Sequence, residues 1–200
     1  MRGRRESAAA TDAAVIESSR RQPERFAVLF DRHAPHIYRY LARRTGRQAA
    51  DDLVAETFLA AFAKRDRYDL RYADARPWLY GIATNLAGQH RRDEARQYKI
   101  SQAAAAEPEV PGHAERVAAD VTARAMRPLL DAALATLPAG DRDVLLLIAW
   151  EELTYQEVSR ALDIPVGTVR SRLNRARTKV RQVLAGTDAA ATYKEITTNE

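Results

Sequence analysis

The chain has 200 residues, a net charge of +5, a pI near 9.7 and no cysteine. That length holds one or two domains, and the basic balance favours an anionic partner. The missing thiols exclude disulfides, thiolate metal sites and cysteine nucleophiles. No apolar run approaches the ~18 residues a membrane helix needs, and MRGRRESAAA has no apolar segment after its arginines. Membrane insertion and a secretory signal are therefore not expected, and the cytoplasm is the expected location.

Residues 1–22 are rich in Ala, Ser and Arg with few large apolar side chains, the composition of a disordered N-terminal tail. From Pro23, Phe26, Leu29, Phe30, Ile37 and Leu41 keep helical spacing. Pro35 predicts a kink or a junction of two helices, and Gly46 a stop. The next helix, AADDLVAETFLAAFAKR over 49–65, has Leu53, Val54, Phe58, Ala61 and Phe62 on one side and Asp51, Asp52 and Glu56 on another. Acids near a helix start favour the dipole, and an acidic face equally suits a docking protein; both readings stay open. The loop 66–76 interleaves Tyr68 and Tyr72 with Arg67, Arg71 and Arg76. Such a pattern suits unstacked bases, and ordinary packing as well. A third helix from Pro77 to Arg92 turns Trp78, Leu79, Ile82 and Leu86 inward and leaves Asn85, Gln89 and Arg92 as a polar stripe. Residues 93–124 lose periodicity and read as a linker, helical at most in part.

The second expected domain, 125–184, opens with the stripe Leu129, Leu130, Ala133, Leu134 and Leu137, followed by the apolar helix DRDVLLLIAW. Thr154-Tyr155-Gln156-Glu157 fits a capping box before a short helix. Asp163 falls at a turn and tolerates the left-handed conformation, and Pro165 pre-sets the entry of the next helix. In that helix, Val166–Leu184, six basic residues stand with no acid. At 100° per residue, Leu173, Ala176 and Val180 lie within about 40° of Val169. Ser171, Asn174, Arg175 and Thr178 point away from that side. Arg170, Arg177 and Arg181 form one cationic rail, Arg172 and Lys179 the other. A helix-turn-helix whose second helix enters a DNA major groove matches this pattern, and a plain helical hairpin with a solvated basic face is its structural rival. Residues 185–200 read as a C-terminal tail.

The fold class expected is all-α: two small helical domains on a flexible linker. No strand signal, phosphate-loop motif or internal repeat is present. Of Asp31, His33 and His36 as conceivable metal ligands, Asp31 and His33 do not share a helix face and no second carboxylate is spaced to join them, so neither metal nor enzyme is expected.

Taken together, DDLVAETFLAAF, RPWLYGIATNLAGQHRR and LTYQEVSRALDIPVGTVRSRLNRARTKVR resemble regions 2.2, 2.3–2.4 and 4 of bacterial RNA polymerase sigma factors. The short connector resembles the extracytoplasmic function (ECF, group IV) subfamily, which lacks region 3. The resemblance implies a protein without cofactors that binds core RNA polymerase and promoter DNA. Region 2, here 23–92, would dock on the clamp helices of the largest subunit through Asp52, Leu53, Glu56 and Phe58. It would then open the −10 element and hold a flipped base, with Tyr68, Arg71, Arg76, Asn85, Gln89 and Arg92 as the contacts. Region 4 would meet the polymerase flap and read the −35 element through Thr168, Arg170, Ser171, Arg172, Asn174, Arg175, Thr178 and Lys179. By motif position Arg170 is a base reader, whereas the helical wheel sets it on a rail. An anti-sigma factor is a further partner the subfamily admits, and the holoenzyme would sit on the nucleoid. Ala55 stands where region 2.2 usually has Gln, Asp163 where the turn usually has Gly, and Asn174 at a variable position. The alternative is a stand-alone helix-turn-helix regulator, which leaves the acidic helix and the aromatic loop unexplained.

Overall fold

The computed structural model describes residues 10–104 and 129–185, and every regular element among them is helical. In chain order they are α1 (Asp12–Ser19), a 3-10 turn (Pro23–Phe26), α2 (Ala27–Thr45), α3 (Arg47–Lys64) and a second 3-10 turn (Arg65–Arg67). Then come α4 (Arg76–Ala104), α5 (residues 129–135), α6 (Ala139–Ala149), α7 (Tyr155–Leu162) and α8 (Val166–Ala185). The all-α class expected from periodicity is what the chain adopts. It divides into two compact units, residues 1–101 with 156–164, and residues 102–155 with 165–200.

In the first unit α2 packs most extensively on α3. Leu29, Ile37, Tyr40 and Leu41 of α2 are buried, as are Ala50, Leu53, Val54, Phe58 and Ala61 of α3, the i, i+3/i+4 stripes anticipated from spacing. Two edge-to-face ring pairs, Phe26–Phe62 and Phe30–Phe58, tie the elements together. Pro35 lies inside a continuous helix, so the alternative of two separate helices does not occur. Gly46, at φ 83° and ψ 163°, makes the corner between α2 and α3 in a region of backbone space open essentially to glycine alone. On α4, Leu79, Tyr80, Ala83 and Ala87 are buried, and the Tyr40 and Thr84 hydroxyls meet at 2.7 Å.

Within the stretch 1–22, expected to lack structure, Asp12–Ser19 form a docked helix; residues 1–9 lie outside those described. Thr11 caps it by accepting from the Ala14 amide, and Ala13, Val15 and Ile16 are buried. The composition looked tail-like because this helix is short and Val15 and Ile16 are the only larger apolar side chains it buries. What fixes it is polar. Buried Asp12 accepts from Arg32 Nη1 at 2.9 Å and from the Ala75 amide at 3.0 Å, and its Oδ2 lies 2.8 Å from His33 Nε2. At the far end Arg20 donates to the carbonyls of Asp66 and Arg65.

Helix α4 likewise runs twelve residues past Arg92, through the first part of the expected linker, to Ala104. Residues 91–101 are solvent-exposed, and their Arg, Glu, Ala, Gln and Lys content sustains a helix without tertiary burial. The rest of that linker, with the opening of the second expected domain, lies outside the described residues, as does 186–200.

In the second unit α6 packs on α8. Ala133, Leu134, Leu137, Val144, Leu146, Leu147, Leu153, Val169, Leu173 and Ala176 are buried. Arg142 donates to the carbonyls of Leu134, Ala135 and Leu137, satisfying the open end of α5.

Candidate nucleic-acid interface

The connection from α7 to α8 is built as the residues dictate. Asp163 takes φ 51°; the Ile164 amide reaches back to the Ser159 carbonyl at 3.1 Å, and the Ser159 hydroxyl donates to the Ile164 carbonyl at 2.6 Å. This six-to-one closure with a left-handed residue stops α7. The Pro165 carbonyl then accepts from the amides of Thr168 and Val169, and α8 begins.

On α8 the buried side is Val169, Leu173 and Ala176, and Val180 is only half-buried. Arg170, Ser171, Asn174, Arg175, Thr178 and Lys179 are exposed, while Thr168 and Arg172 are half-buried. The Ser171 hydroxyl donates to the Thr168 carbonyl at 3.0 Å, which leaves it an acceptor outward. The Arg170 guanidinium lies 6.0 Å from the Tyr155 ring centre. Arg172 leans over Gly140 so closely that a Cβ there would come within 2.7 Å of Nη1. Arg175 is held by Asp141 in a two-point pair, Nε to Oδ2 at 3.0 Å and Nη2 to Oδ1 at 2.9 Å. The wheel did not anticipate Asp141, a buried acid in the first turn of α6. Its only sequence signal is that it is one of two acids, with Asp143, in the first turns of a helix whose remainder is apolar.

In the first unit the structure separates the expected site residues into two groups. Asp52 and Glu56 are exposed on α3, whereas Leu53 and Phe58 are buried and supply core. Leu59, 68% exposed, stands three residues after Glu56 and adds an apolar element to the acidic face, which periodicity alone had not singled out. Tyr68 is buried, its ring 4.9 Å from that of Trp78, its hydroxyl donating to the Tyr72 carbonyl at 2.7 Å. Burial first, then the charges of Asp12 and Asp74, push its phenol well above the ordinary range. It is a neutral strut of the loop rather than an open stacking surface. Arg71 and Arg76 are each paired with the acid two residues before, Asp69 at 2.6 Å and Asp74 at 2.8 Å. Asn85, Gln89 and Arg92 are exposed along one side of α4, as their spacing required.

Among the described residues no group of three potential ligands could hold a metal, and no helix is long and apolar enough to cross a membrane. Among the described residues every regular element is helical, and a basic exposed helix follows a left-handed turn, the local order of elements that proteins of the helix-turn-helix class use on DNA. Residues 29–97 match the family model for sigma-70 region 2, and residues 127–180 that for sigma-70 region 4. The ECF RNA polymerase sigma factor SigE of Mycolicibacterium smegmatis is 34% identical over 166 residues, 78% of this chain and 60% of that protein. This chain thus spans less than two thirds of that relative. The RNA polymerase sigma factor CarQ of Myxococcus xanthus is 33% identical over 162 residues, 80% of this chain and 88% of that protein. The sigma factor RpoE of Bartonella quintana, solved in complex with the anti-sigma factor NepR, shares the fold with a TM-score of 0.61 at 23% identity, over 80% of this chain and 96% of that one. The chain belongs to the ECF sigma factors of the sigma-70 family. As such it serves transcription initiation, through RNA polymerase and promoter DNA, and it is not itself an enzyme.

Proposed function

We propose that the two matched segments divide promoter recognition between them. Segment 127–180 reads the −35 element as duplex with α8, and segment 29–97 binds core polymerase and the opened −10 element. The observation that carries this reading is the exposed face of α8, where Ser171, Asn174, Arg175 and Thr178 stand outward between basic flanks, one of which begins with Arg170. Cations on the flanks neutralise phosphates, and the polar strip between them reaches base edges.

On α3 the exposed set Asp52, Glu56 and Leu59 offers acids around one apolar side chain, suited to a basic-and-apolar surface such as a clamp helix pair. Leu53 and Phe58 support that face from beneath. For the −10 strand the exposed stripe Asn85, Gln89 and Arg92 is the principal contact surface. Arg71 and Arg76, on and next to the loop before α4, are further contacts, and Tyr68 holds the loop in shape. The flap of the polymerase for region 4 and an anti-sigma protein complete the set of partners, and the holoenzyme works in the cytoplasm on the nucleoid. The domain map we adopt is 23–92 for region 2, extended by α1 at its start, 93–124 for the connector and 125–184 for region 4.

The test is run-off transcription by core RNA polymerase with the full chain on a library of promoter-like duplexes. Transcripts that depend on the chain and start downstream of a shared −35/−10 pair support the reading. Tight duplex binding with no effect on polymerase would favour a stand-alone regulator.

A further inference from the structure

We infer that Asp141 is a specificity-determining positioning residue, which acts on promoter DNA through Arg175. The inference rests on the proposed role of α8 in reading the −35 element. A guanidinium has two edges with paired donors. Asp141 occupies the side edge, taking the Nε hydrogen at 3.0 Å and one Nη2 hydrogen at 2.9 Å. The end edge, made of Nη1 and the second Nη2 hydrogen, has no hydrogen-bond partner among the described residues. That end edge is the fork that matches the O6 and N7 acceptors of guanine.

The two partners differ in exposure in the sense this role needs. The Asp141 side chain is 7% exposed and that of Arg175 is 61% exposed. The acid is therefore held by α6 while the guanidinium reaches out over it. Arg175 opens on a recess of about 580 Å³ that it lines with Asn174, Thr178, Lys179 and Gln182 on α8. A free arginine samples many rotamers and must give up that freedom on binding; one already fixed by a buried carboxylate gives up little. The pair also sets the plane of the fork, so a base is accepted only where its two acceptors lie in that plane.

The experiment uses core polymerase with the full chain and a promoter library randomised one −35 position at a time. The wild type is expected to prefer guanine at one or two positions, and Arg175→Ala to lose that preference by about fivefold or more. Asp141→Ala should weaken the preference at those same positions and leave the others unchanged. The double variant should resemble Arg175→Ala, because Asp141 acts only through that side chain. Asp141→Asn, which keeps the shape and one acceptor oxygen, should fall between, and it serves where Asp141→Ala does not fold. If either Asp141 variant lowered transcription from every sequence equally, or if Arg175→Ala left all preferences intact, the inference would be overturned. A wild type that supports no promoter-dependent transcription would instead overturn the proposed function.

Discussion

Asp12 supplies the sharpest stability prediction, because a carboxylate that is 8% exposed in its side chain holds the whole of α1 in place. Burial on its own would raise its pKa. The hydrogen bonds from His33, the Ala75 amide and Arg32, with the His33 charge, outweigh burial and lower it from 3.8 to about 2. A depression of nearly two units corresponds to about 2 kcal/mol of folding free energy. The folded-state pKa lies below the unfolded one, so this contribution is fully present above about pH 4 and is lost as the pH falls through about 2. Asp12→Asn should therefore be less stable than the wild type by about 2 kcal/mol at neutral pH, a typical cost for breaking a buried network. The difference should close toward pH 2. Urea unfolding of the full chain, followed by the fluorescence of its two tryptophans and by circular dichroism, measures both numbers. Trp78 packs against Tyr68, whose loop α1 braces, so it reports on the right unit. Equal stability of the two proteins at neutral pH would mean that α1 is not docked, and that residues 1–22 behave as the tail their composition suggested. A difference that persisted undiminished at pH 2 would show that its cause is shape and not charge.

Three further outcomes are expected. Gly46→Ala should destabilise the first unit by about 1–3 kcal/mol, since no atom lies within 4 Å of the added Cβ and only the backbone at φ 83° resists it; a melting temperature equal to the wild type's would contradict this. Asp52→Lys with Glu56→Lys should abolish retention on immobilised core polymerase while changing folding stability by no more than about 1 kcal/mol, as befits exposed charges; a large loss of stability would show that they serve the fold. Lys179→Ala should weaken holoenzyme binding to all promoters alike and reduce the slope of log affinity against log salt by about one, whereas a change confined to one −35 base would make it a reader.

The residues themselves announced the described helices other than α1, because a buried stripe repeats every three to four positions and each repeat is a local property of the chain. For the same reason the stop at Asp163 and the start after Pro165 were legible: a left-handed residue and a proline act on their own backbone. The outward set on α8 followed from angle alone. Tertiary contact decided which polar side chains are open to a partner and which are already occupied. Tyr68 reads as a loop aromatic, and only its packing on Trp78 takes it out of solvent. Leu53 and Phe58 belong to a docking motif by resemblance, yet the α2–α3 interface buries them. Asp12 meets Ala75 across 63 positions, and Arg175 meets Asp141 across 34. A periodic pattern holds no record of such separations. It specifies the face on which a charge stands, and the opposing charge arrives on another helix only when the chain folds back.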